Sequence, residues 1–196
     1  MECMTNTGPE PSTQLTAKTT EYPSIDPMQV KNIIELVARK SGKQPRTNDD
    51  AALGPLADLL EHPDIASYLR CCVPGQAVGV SGVRLLPLED IHQEMSQGSA
   101  PGSFIRRYGY VVVATSVGGN AICFHSPSGK VFWADHVSFA ADSISYKDRA
   151  TGEWKYLYEY AAENVKRALV PLSDNIESFL EALLTDRLEA QLDALD

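Results

Sequence analysis

Between Gly109 and His136 the chain places three runs of strand-forming residues around two glycine turns, and no other stretch restricts the possible folds as much. Tyr110 to Ser116 is apolar and β-branched, Gly118-Gly119-Asn120 supplies a turn, and Ala121 to His125 returns as a second strand. Pro127-Ser128-Gly129 turns again, and Lys130 to Asp135 closes the run, with Val131 and Trp133 on one face and Phe132 and Ala134 on the other. Such a meander is not stable by itself, so it must lay a face on helices.

The flanking sequence supplies them. Asp26-Pro27 has the form of an N-cap followed by proline in the first turn; Val30, Ile33, Ile34 and Val37 share a helical face, and Ser41-Gly42 ends it. Leu56, Leu59 and Leu60 suggest a second helix, interrupted at His62-Pro63. Pro63 then opens a third, with Ile65, Tyr68, Leu69 and Cys72, which Pro74-Gly75 stops. Ala77–Val80 and Val83–Leu86 flank Ser81-Gly82 as a hairpin feeding the sheet edge. A brief helix is expected from Leu88 after Pro87, and Gly98 to Ser103 is expected to be a flexible link.

Beyond His136 two periods compete. Ser145, Tyr146, Trp154, Tyr156 and Tyr158 favour a hairpin turning at Ala150-Thr151-Gly152, yet Trp154, Leu157, Tyr158, Ala161, Ala162, Val165 and Leu169 also fit helical spacing. The expectation adopted is a helix from about Trp154 to Arg167. Ser173 is the expected N-cap of a final long helix, with Ile176, Phe179, Leu180, Leu183, Leu184, Leu188 and Leu192 on its buried face and Glu177, Glu181, Glu189 and Asp193 opposite.

The order of strand, Gly118-Gly119 turn, strand, Ser128-Gly129 turn, Val131 and Asp135-His136 resembles the sheet of the SUKH superfamily, the Smi/Knr-like proteins. Pro171-Leu172-Ser173 and the apolar series after it are similar to that family's terminal helix. The resemblance covers roughly the C-terminal half, with weaker similarity from Leu56 onward, and the expected helix at Trp154–Arg167 is a departure from many relatives. It implies an α+β fold whose twisted, mainly antiparallel sheet carries helices on one side, with Gly118, Gly119, Gly129, Trp133 and Asp135 as structural landmarks. It also implies a non-catalytic binding module: bacterial members neutralise toxins, often nucleases, and fungal relatives serve as regulatory scaffolds.

Composition sets bounds on that expectation. With 196 residues, 43% of them hydrophobic, the chain can bury one ordinary core, expected over residues 26–196. Residues 1–25 are rich in Thr, Pro, Ser and Glu and are expected to be a disordered tail. No run is long and apolar enough for a membrane span or signal peptide, so a soluble cytoplasmic protein is expected. Cys3, Cys71, Cys72 and Cys123 have neither zinc spacing nor the density of a disulfide scaffold, and are expected as reduced packing residues. A net charge of −9 argues against direct contact with nucleic acid and suits a basic protein partner.

Catalytic chemistry finds little support. His125, Asp135 and His136 at strand ends invite a metal site or proton relay, but their spacing matches no metal signature, and turn-capping explains them. Ser81 lacks the glycine spacing of a nucleophile elbow, and Gly118-Gly119 lacks the lysine and hydroxyl of a phosphate loop. Arg106-Arg107-Tyr108 is basic and aromatic, and is expected to protect an edge strand. The functional expectation is an immunity-type protein without cofactor or metal, which covers a basic toxin with Glu177, Glu181, Glu189 and Asp193; a solvated helix face explains the same acids. A regulatory scaffold, or a small hydrolase or ligand-binding domain in which His125, Asp135 or His136 converge, are the alternatives.

Overall fold

The computed structural model describes residues 26–43, 50–54, 56, 63–96, 98–148 and 150–195. The expected tail, most of the connection after Gln44, and Leu59, Leu60 and His62 lie outside the described residues. Helix α1 (Pro27–Lys40) begins as its sequence predicts: the Asp26 carboxylate accepts a hydrogen bond from the Met28 amide at 2.9 Å. Its apolar face, Val30, Ile33, Ile34 and Val37, is buried. A single turn, α2 (Asp50–Leu53), and α3 (Pro63–Cys71) follow, and Ile65, Tyr68, Leu69 and Cys72 of the α3 region are buried. Burial pushes the Cys72 thiol up to about 12, so it packs as a small apolar group.

The expected α+β architecture is present. After hairpin β1 (Val78–Val80) and β2 (Val83–Leu85) come helices α4 (Leu88–Glu94) and α5 (Gly102–Ile105), then strands β3 (Tyr110–Ser116), β4 (Ala121–His125) and β5 (Val131–Ala134). Two strands, β6 (Ile144–Lys147) and β7 (Trp154–Leu157), pair only with each other in a separate two-stranded sheet. Helix α6 (Ala162–Ala168) leads into β8 (Leu169–Ser173), which returns to lie antiparallel beside β5 and completes a six-stranded sheet in the order β1-β2-β3-β4-β5-β8. Helices α7 (Ile176–Leu184) and α8 (Glu189–Asp193) end the chain.

Consecutive residues of β3, β4 and β5 are buried, so both faces of the central sheet are covered, beyond the cover on one side that was expected. The segment from α4 to α5 lies over Val112: the Met95 sulfur accepts from the Val112 amide at 3.3 Å. A Cβ added to Gly102 would stand 2.1 Å from the Glu94 carbonyl oxygen and 3.3 Å from Val112 Cγ2. Gly98 to Ser103, read as a flexible link, thus includes the start of a packed helical turn. Helix α1 packs against α3 and α7, and this layer reaches the sheet through α1 on β1 and α7 on β8.

Five further expectations are corrected. The helix expected from Trp154 is a hairpin: the Asp148 carboxylate accepts from the Ala150 amide at 2.9 Å, Gly152 adopts φ +72°, and the chain turns before the aromatic run. The helix starts only at Ala162, after extended Ala161. Leu169 to Ser173 is a strand, not a lead-in to the last helix, because Pro171 sits on an edge where a missing donor is tolerated. Asn175, not Ser173, caps α7, accepting from the Ser178 amide at 2.8 Å. The single long terminal helix is broken at Asp186, whose φ of +58° ends the first segment. Its carboxylate is drawn out by Lys40 Nζ at 2.8 Å and by a hydrogen bond from the Ser81 hydroxyl, and these partners lower its pKa. Arg106 to Tyr108 is a 3-10 turn entering the central strand β3, not an edge strand.

Candidate functional site

The landmarks in the ribbon hold the backbone. Gly118, Gly119 and Gly129 have φ of +87°, +84° and +70°, values that a side chain would strain. Asp135 caps the turn after β5, its carboxylate accepting from the Val137 amide at 3.0 Å. The imidazoles fall apart into two sites. His125, at the end of β4, bonds Ser128 Oγ at 2.7 Å and stacks on Tyr110 at 4.3 Å, and burial lowers its pKa. His136 bonds the side-chain oxygen of Asn120, just before the start of β4, at 2.9 Å. A strand of that length separates the two by about 15 Å, so His125 and His136 do not converge. Among the described residues no group of three or more His, Cys, Asp or Glu side chains is placed to hold a metal ion.

The acidic residues of the C-terminal helices do not form one surface strip. Glu177 and Glu181 are half-buried on α7, while Glu189 and Asp193 are exposed on α8, beyond the break. Asp174, next to the cap, is bonded to Lys130 at 2.7 Å, which lowers its pKa.

The β6–β7 hairpin and the residue after it expose three aromatic side chains in a row. Along β7, Trp154 is 49% exposed and Tyr156 61%, and Tyr158, next on the same face, is 81% exposed. The alternate residues turn inward: Ile144 is buried, and Tyr146 and Leu157 pack against the core. Asp148 donates its amide to the Glu153 carbonyl at 2.8 Å, which makes that pair a hydrogen-bonded one. By alternation, Trp154 and Tyr156 sit at non-bonded pairs, so their backbone N–H and C=O groups point away from β6, where no described residue meets them. The hairpin is nevertheless firmly seated. Tyr160 donates to the Ala140 carbonyl at 2.6 Å and accepts at its own carbonyl from the Tyr108 hydroxyl, while the Arg107 guanidinium lies 4.9 Å from the Tyr108 ring and 5.5 Å from that of Tyr160.

Between this hairpin and the sheet is a cleft of about 430 Å³. Trp133 and Val170, opposite each other on β5 and β8, line it from the sheet; Tyr146, Lys147 and Trp154 line it from the hairpin, and Arg167 from α6. Asp135 and Trp133, two of the landmarks read from the sequence, therefore share a cleft, and Gly118, Gly119, Gly129 and the four acids do not line it. Sequence reasoning missed Tyr156, Lys147 and Arg167; the period-two alternation of Trp154, Tyr156 and Tyr158 was the signal for the first, and none marked the other two. Among known proteins, no family model matches this chain, and no curated protein or solved structure matches it.

Proposed function

We propose that this chain is a protein-binding module without catalytic activity, and that it acts in the immunity-type role implied by its resemblance to the SUKH superfamily, binding a basic toxin. The observation that supports the reading is β7: a strand edge with two backbone positions unpaired among the described residues and a row of exposed aromatic side chains. Aromatic residues held on a rigid strand are strong interface anchors, because they offer large contact area and lose little rotamer freedom. An edge of this kind accepts an extended segment as an additional strand. The net charge of −9 and the exposed Glu189 and Asp193 would steer a positively charged partner into contact.

Affinity purification of the tagged full chain from its native cells, at low and physiological salt, tests the reading alongside Tyr156→Pro. Proline is tolerated at an edge position whose N–H points outward, so the variant keeps its fold and closes the edge. The expected result is one stoichiometric basic protein on the wild type, absent from the variant, whose own toxicity is relieved by co-expression with the wild-type chain. Recovery of no stoichiometric partner at either salt overturns the reading.

A further inference from the structure

The cleft beside the hairpin holds donors that no described residue satisfies. Lys147 and Arg167 both line it, and among the described residues neither makes an ion pair or a side-chain hydrogen bond. Elsewhere, Lys40, Arg84, Lys130 and Lys155 hold acids at 2.8, 2.6, 2.7 and 3.0 Å. Trp133, which lines the cleft from the sheet, is only 5% exposed, and its indole N–H is buried without an acceptor. The acids in the lining are differently placed: Asp135 and Asp148 each commit one oxygen to the amide of an adjoining turn, at 3.0 and 2.9 Å, and the second oxygen of each has no described donor. Trp154 adds a half-exposed indole face at the hairpin end.

We propose that this cleft binds a small molecule that combines an anionic group, a flat ring and at least one N–H donor. The anion takes Arg167 and Lys147, the ring lies on the Trp154 indole, and the N–H groups bond the free oxygens of Asp135 and Asp148. Two sources share this chemistry: a nucleoside monophosphate, and an aromatic amino acid whose ammonium and carboxylate replace base and phosphate. The volume of about 430 Å³ lies in the range of small-molecule sites. The site meets the protein-binding surface at Trp154, while Tyr156 and Tyr158 do not line the cleft.

The chain has two tryptophans, Trp133 and Trp154, and both line the cleft, so tryptophan emission reports on small-molecule binding there. Full-length protein is titrated with AMP, GMP, L-phenylalanine and inorganic phosphate. A saturable emission change is expected with at least one of the three ring-bearing probes and not with phosphate, and which of them saturates identifies the source. The affinity should fall at least about tenfold in Arg167→Gln and in Lys147→Gln, both at exposed positions, with unchanged circular dichroism and unfolding midpoint. Three results overturn the proposal: no saturable change with any ring-bearing probe at millimolar concentration, binding that both variants retain at full strength, or phosphate binding as tightly as the ring-bearing probes.

Discussion

The six-stranded sheet and the β6–β7 hairpin use the same kinds of residue for opposite ends. In β3, β4 and β5 the β-branched and aromatic side chains are buried on both faces, and each contributes to stability through the area it removes from water. In β7 the alternation is just as regular, yet its Trp and Tyr face outward. Strand propensity alone therefore does not reveal which aromatic residues build a core and which stay exposed to solvent. What separates the two regions is pairing: the central strands have neighbours on both sides, and β7 has one.

That contrast can be broken at either end. Phe124, fully buried in β4, is the stronger lever: Phe124→Ala should lower the unfolding free energy by about 3–5 kcal/mol, read by urea denaturation, and a loss below 1 kcal/mol would mean that the sheet is far less tightly packed than its burial implies. His125, at the edge of the same core, should have a smaller and pH-dependent effect. Burial lowers its pKa, so the folded protein keeps the ring neutral at a pH where the unfolded chain has already taken up a proton. Its share of stability is complete above about pH 6.5 and declines as the pH falls toward the lower folded-state value. His125→Gln should remove that part of the slope in denaturation curves recorded between neutral and mildly acidic pH; a slope identical to the wild type's would show that the ring titrates alike in both states. Least affected should be Tyr158→Ala, at an 81% exposed position, with a change within about 0.5 kcal/mol. A larger loss in the same denaturation measurement would place Tyr158 among the residues that hold the fold.

The sequence made the central ribbon legible because three local signals agree there: period-two alternation, Gly118-Gly119 and Ser128-Gly129. Helix α1 was equally plain from Asp26-Pro27 and Ser41-Gly42. Strand β8 was not, since Pro171 reads locally as a breaker and the pairing that makes it a strand, with β5, lies far away along the chain. The hairpin was misread because Trp154 and Tyr158 fit both periods, and only the turn at Asp148–Gly152 decides between them. The last helix breaks at Asp186 because of Lys40 and Ser81, which no local window contains. Of the candidate site, Trp133 and Asp135 were picked out for their place in the ribbon; Lys147, on β6, and Arg167, on α6, join them only through the fold.

The strand order has a consequence for how this protein can change. The main sheet passes from β5 directly to β8, so the ladder of backbone bonds bypasses everything from Asp135 to Ala168. The excursion is tethered at its base by Tyr160, Tyr108 and Arg107, while its tip takes no part in the load that the rest of the molecule bears. Exchanging residues at that tip would alter the surface it presents without reopening the question of folding, much as a tool head is replaced on an unchanged handle.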